Sequence, residues 1–159
     1  MAKLFQVVAV KNNNINYNPA CTIYLNTKNV VWAGSVIYYD NTGASATGTQ
    51  IIIAGYDGTF TQEIISSDSL ATIKTRMNAA FTTDVHTLTL TAIDPFAGAT
   101  PTATQQSQLP VNVDDIWMVM THPLYTDGSL IQVQNATKSC IESYRVANVA
   151  ATIASDSNA

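Results

Sequence analysis

The side chains able to do acid–base or nucleophilic chemistry are few and far apart. His86 opens an alternating Thr-Leu stretch, and His122 precedes Pro123 within a turn signal. A histidine base needs a nucleophile on one ring nitrogen and an orienting group on the other. No Ser, Cys or carboxylate motif near either histidine completes that arrangement. Cys21 and Cys140 stand in no metal-ligand spacing and read as two half-buried thiols, not as a disulfide. Asp114 and Asp115, with Asp94, carry the oxygens a hard cation takes, but adjacent aspartates ahead of a strand read as solvated turn residues. Asn135 begins an Asn-Ala-Thr glycosylation pattern that falls in a predicted tight hairpin and is discounted. The sequence holds no nucleophile elbow, glycine-rich phosphate loop, His-Glu-x-x-His pair or calcium loop. No catalytic, cofactor-binding or metal-binding residue is expected, and the chain reads as a non-enzyme.

Function must then come from surfaces. Charged residues make up 11% of the chain, where about 25% is usual. Hydrophobic residues make up 47%, which excludes disorder, whose signature is low hydrophobicity with high net charge. The basic residues Lys3, Lys11, Lys28, Lys74, Arg76, Lys138 and Arg145 are scattered, and the net charge is −4. Nucleic-acid binding lacks its basic stripe. The apolar run in "MAKLFQVVAV" is too short to span a bilayer and shows no cleavage pattern. No membrane partner is expected, and the product is expected in the cytoplasm where it is made.

The elements that position these surfaces are mainly strands, with a minor α part. Apolar alternation and β-branched runs predict strands over 4–10, 21–25, 30–40, 50–55, 59–66, 86–93, 115–122, 129–134 and 139–147. Residues 11–20, "KNNNINYNPA", read as an Asn-rich loop, and "YDGT" reads as a hairpin turn. One amphipathic helix is expected at about 68–81, with Asp68 as its cap and Leu70, Ile73, Met77 and Phe81 on its core face. Residues 94–112 carry three prolines and little periodicity and read as a long loop or arm. A short helical piece is expected at 148–154, followed by a fraying tail.

The chain also looks written twice. "VWAGSVIYYDNTG" is echoed by "IWMVMTHPLYTDG", and "QIIIAGYDGTFTQEI" by "SLIQVQNATKSCIESY". "SLATI" at Ser69 is echoed by "VAATI" at Val149. One loop insertion, Ala44 to Gly48, brings the copies into line. The expectation is a single domain, 1–159, of two related halves at about 1–84 and 85–159. Each is a strand-hairpin-helix unit, and together they form an antiparallel β-sandwich or barrel-like fold. Trp32 and Trp117 are expected at related positions against the core, with Tyr38, Tyr39 and Tyr125 as candidates to face another chain.

The hairpin and helix "YDGTFTQEIISSDSLATIKTRMNAAF", with the repeated "NVAATI", resembles the small β-rich structural proteins of tailed-phage virions, the auxiliary or decoration proteins that coat capsids. The resemblance implies a multi-copy virion component, made in the host cytoplasm, that binds major capsid or other virion proteins and stabilises the shell. Independently, uncharged β surfaces associate by backbone pairing, and a symmetric array adds avidity, so a homo-oligomer is expected. A neck or tail component is the nearest alternative, and a carbohydrate- or receptor-binding module using Tyr and Trp is the alternative from another class.

Overall fold

A computed structural model describes residues 4–55, 60–81, 87–94, 96–97, 102–121, 128–135 and 140–147. The fold is mainly β with one α-helix, as composition and alternation indicate. The strands are β1 (Leu4–Asn12), β2 (Ile15–Asn26), β3 (Val30–Tyr39), β4 (Ser45–Gly55) and β5 (Phe60–Ser66), followed by helix α1 (Leu70–Phe81). Then come β6 (Thr87–Ile93), β7 (Gln106–Asn112), β8 (Ile116–Thr121), β9 (Gly128–Asn135) and β10 (Cys140–Ala147). All ten belong to one antiparallel sheet in the order β3-β4-β5-β1-β2-β8-β9-β10-β6-β7. The strands thus form one continuous hydrogen-bonded sheet in which, among the described residues, β3 and β7 remain as edges, so no barrel closes.

The first five strands are arranged 3-4-5-1-2 and the second five 8-9-10-6-7, the same order. Local detail repeats with it. A three-residue 3-10 turn, Thr27–Asn29, links β2 to β3, and another, Val113–Asp115, links β7 to β8. Asn26 caps the first by accepting from Lys28 N, and Asn112 caps the second by accepting from Asp114 N. Each following strand is bulged at the same point, between Val30 and Trp32 in β3 and between Ile116 and Met118 in β8. This register pairs Trp32 with Met118, and Trp117 with Val31. The expected match of Trp32 to Trp117 is therefore one residue out. Exposure follows position in the sheet: Trp117 and Met118 are each 1% exposed on β8, which β2 covers, whereas their counterparts Val31 and Trp32 are 62% and 49% exposed on β3 at the border of the sheet.

The three-residue links force the sheet to curl. Four strand spacings separate β2 from β3, roughly 19 Å if flat, whereas Asn26 to Val30 can span at most about 14 Å. Each group of five strands therefore rolls around its own buried cluster. The first cluster contains Val7, Ile23, Leu25, Ile51, Ile53 and Ile64, covered by Ile73 and Ala80 of α1. The second contains Leu90, Val111, Ile116, Val119, Ile131 and Val146. At the junction, Leu25 pairs with Met118 and Tyr24 with Val119. The first pair belongs to one cluster and the second to the other, so the groups bury opposite faces of a shared sheet.

Four expectations change. Ser69, not Asp68, caps α1, accepting from Thr72 N at 3.2 Å through its hydroxyl. Asp68 instead ties the helix to β1, accepting from Val8 N and from Arg76 Nη1, both at 2.9 Å. Residues 15–20 of the expected Asn-rich loop extend β2, because the turn needs only Asn13, at φ +50°, and its neighbour. Residues 106–112 of the expected long loop form β7, whose Pro110 is tolerated because an edge strand has one unpaired side. The insertion Ala44 to Gly48 is largely strand and lengthens the β3–β4 hairpin. His86, His122, Tyr125, the "YDGT" turn and residues 148–159 lie outside the described residues.

Trp117 packs within the first cluster, its Nε1 donates to Gln62 Oε1 at 3.0 Å, and its ring lies where a side chain on Gly55 would stand. Trp117→Ala is expected to cost about 3–5 kcal/mol in urea unfolding, and Trp32→Ala less than about 1 kcal/mol. Equal losses would contradict the difference in burial between the two tryptophans.

Candidate interaction site: an open sheet edge and the cleft beside it

Among the described residues β3 pairs only with β4, so the backbone N–H and C=O groups on its outer side have no strand partner there. Edge strands normally carry a charge, a proline or a cover. Val30–Tyr39, "VVWAGSVIYY", contains neither a charged residue nor a proline. Its side chains are also open: of six exposed large apolar residues among the described ones, four lie on this strand, Val31, Trp32, Ile37 and Tyr39. The Trp32 ring covers Gly34, where a Cβ would overlap it, so the indole lies along the strand. The result is an uncharged ribbon with apolar side chains exposed along it, bulged only near its start, between Val30 and Trp32.

Beside this edge, the tips of the β1–β2 and β3–β4 hairpins flank a cleft of about 620 Å³. Tyr17, Tyr38 and Tyr39 line it together with Lys11, Asn16, Asn41, Gln50 and Glu63. Asn41 Nδ2 donates to Tyr17 O at 3.4 Å and links the two tips. Gln50 Nε2 donates to Glu63 Oε2 at 2.6 Å across the floor. Tyr17 separates this cleft from a neighbouring one of about 420 Å³ bordered by Pro19 and Met120. Burial raises the Tyr17 pKa, and the bond from Asn12 Nδ2 at 3.1 Å offsets part of that rise. The phenol is therefore a neutral donor and acceptor at neutral pH. Volume and lining suit a small polar ligand with apolar faces.

The tip of the β3–β4 hairpin is built by Asp40. Its Oδ1 accepts from Thr42 Oγ1 at 2.6 Å, Thr42 N at 2.8 Å and Ala44 N at 3.0 Å. Gly43 supplies the positive φ, +84°, that the turn requires. The bonds from Thr42, ahead of those from Ala44 and Gly43, hold the Asp40 carboxyl below the usual carboxylate range.

Two of the aspartates weighed as metal ligands, Asp114 and Asp94, have other roles. Asp114 pairs with Lys28 at 3.0 Å, joining the two 3-10 turns. Asp94 accepts from Phe96 N at 2.9 Å and shapes the turn after β6. Among the described residues no cluster of three His, Cys, Asp or Glu could hold a metal. No disulfide joins Cys21 and Cys140, both half-buried. Of the tyrosines expected to face outward, Tyr39 is 76% exposed and Tyr38 lines the cleft. Tyr17, Lys11 and Asn16 were not legible as site residues, because their segment reads as a loop and their cleft partners come from distant strands.

A carboxylate whose pKa folding depresses contributes above its unfolded pKa, about 3.9, and loses that contribution as pH falls through the depressed value. The hairpin tip should therefore hold at neutral pH and loosen only in strong acid. NMR titration is expected to show the Thr42 and Ala44 amide shifts moving below the usual carboxylate range. Asp40→Ala should speed amide exchange at both without changing exchange in the core.

No family model, curated protein or solved structure matches the chain, so the edge and the cleft carry the functional reading on their own chemistry.

Proposed function

We propose that the chain is a non-enzymatic structural protein of a phage virion, an auxiliary or decoration protein whose copies assemble on the capsid with one another through the β3 edge. The observation that carries this is the ten-residue uncharged edge strand with Val31, Trp32, Ile37 and Tyr39 exposed. An edge of this kind would be an aggregation hazard on a protein meant to stay alone. On a shell component it is an attachment device, because backbone pairing is strong when repeated and multi-copy attachment multiplies weak contacts. The low charge, 11% of residues, reduces like-charge repulsion between closely packed copies. Position on the head, with the major capsid protein as partner, rests on the resemblance of the hairpin and helix to decoration proteins.

The expected outcome is that the chain copurifies in many copies with phage particles produced from the genome that encodes it, as quantified by mass spectrometry. Ile37→Lys, placed on an exposed side chain, should reduce that occupancy at least severalfold while leaving the fold intact by circular dichroism. Absence from purified particles would overturn the proposal.

The cleft favours a second reading, a carbohydrate- or receptor-binding module. Its tyrosines offer ring faces, and Asn16, Asn41 and Gln50 offer planar donors and acceptors. Glycan-array binding by the isolated chain, lost in Tyr39→Ala, would favour it over shell assembly.

A further inference from the structure

The repeated strand order says what each free edge could accept. Within the chain, the outer side of β8 is covered by β2. β8 corresponds to β3, and β2 to β7, so the same junction made between molecules would place β7 of one copy against β3 of the next. Such head-to-tail contacts do not close on themselves and would run on as a filament or ring.

One residue blocks this. Val8 uses its C=O for Ser67 N and its N–H for Asp68 Oδ2, both on the β5 side. Its ladder partner Thr22 therefore belongs to a non-hydrogen-bonded pair, and by alternation Tyr24 directs its N–H and C=O toward Val119 of β8. The residue equivalent to Tyr24 is Pro110, and the one equivalent to Val119 is Ala33. Pro110 thus points a nitrogen without a hydrogen out of the free side of β7. Its ring occupies the place where the next strand's carbonyl would approach. β7 is a capped edge, and β3 is an open one.

A molecule with one capped edge and one open, uncharged edge can satisfy the open edge with its own kind only by a two-fold contact. We propose that β3 pairs antiparallel with β3 of a second copy. This would merge two ten-stranded sheets, with Ile37 and Tyr39 of both copies along the seam on one face and Trp32 of both on the other. The groups that bond are the outward N–H and C=O of Ala33, Ser35, Ile37 and Tyr39, which follow from Ala33 by alternation. Pro110 stops assembly at the dimer. This inference rests on β3 being the assembly edge of that reading, and it adds the occupant, a second copy, and the copy number, leaving contact with the capsid protein to the rest of the surface.

Sedimentation velocity on the purified full chain at micromolar to tens of micromolar concentration tests it. A dimer is expected. Ile37→Lys, which places a charge at the seam, and Ala33→Pro, which moves the β7 cap onto β3, should each raise its dissociation constant by about tenfold or more. Ile37 is 70% exposed, so its variant keeps the test valid if Ala33→Pro misfolds. Pro110→Tyr, restoring the residue found in β2, should give species larger than the dimer that grow with concentration. A wild-type monomer throughout, or a dimer unmoved by Ile37→Lys, overturns the two-fold pairing. Pro110→Tyr remaining at dimer size overturns the cap. If the chain is monomeric yet Ile37→Lys still abolishes particle binding, the pairing falls while the shell-attachment reading stands.

Discussion

The structure depends on one constraint, the two short turns that connect strands lying far apart in the sheet. Thr27–Asn29 and Val113–Asp115 must each carry the chain from one border of a five-strand group to the other. A flat sheet cannot allow this, and curling satisfies it. The turns are tied accordingly. Asn26 is fully buried, and its Nδ2 donates to Val113 O at 2.9 Å and Ile116 O at 3.2 Å. Its Oδ1 meanwhile accepts from Lys28 N at 3.1 Å. A single side chain thus caps its own turn and satisfies carbonyls of the other. An apolar residue there would remove the side-chain donor to the buried Val113 carbonyl, at about 1–3 kcal/mol, while Ile116 O keeps Asn29 Nδ2 at 3.4 Å. The exposed Lys28–Asp114 pair beside it adds little by comparison.

From that constraint follows the way the two groups support one another. Rolling each group around its own cluster would leave both open along the shared border. At that border β8 sends Trp117 and Met118 into the first cluster, while β1 and β2 send Leu4 and Tyr24 into the second. Neither cluster is complete without strands from the other half, so the halves depend on each other despite their matching strand orders. Helix α1 plays a supporting part. It covers one end of the first cluster through Ile73 and Ala80, while Arg76 reaches back to Asp68 and to Gln6 O at 2.8 Å.

Much of this was legible in the sequence because it rests on local periodicity. The strands with strict alternation, the helix stripe at Ile73 and the shared turn chemistry all follow from patterns a few residues long. What was not legible depends on register. Trp32 and Trp117 look equivalent because tryptophan is rare and both precede a glycine turn, but the matching 3-10 turns and bulges align Trp117 with Val31, one residue away. Asp68 looks like the cap because it precedes the helix, yet Ser69 is one residue closer and Asp68 is drawn to β1 by partners distant in sequence. β7 was hidden by its own proline, which is the residue an edge strand tolerates. The cleft was hidden because its walls come from two hairpins and its floor from β4 and β5.

The open edge and the cleft are not independent features. Val36, Ile37, Tyr38 and Tyr39 belong to β3 and also line the cleft, so whatever pairs with the outer side of β3 fixes one cleft wall. The hairpin tip carrying Asp40 and Asn41 extends beyond the buried cluster, and Asn41 alone among the described hydrogen bonds ties it to Tyr17 of the opposite tip. A strand docked on β3 would order that arm by continuing its ladder, because an isolated two-stranded ribbon is at best marginally stable in water. Occupancy of the edge should therefore set the width of the cleft. The same physics that makes β3 a hazard on a solitary molecule makes it the part whose ordering an assembly partner can control.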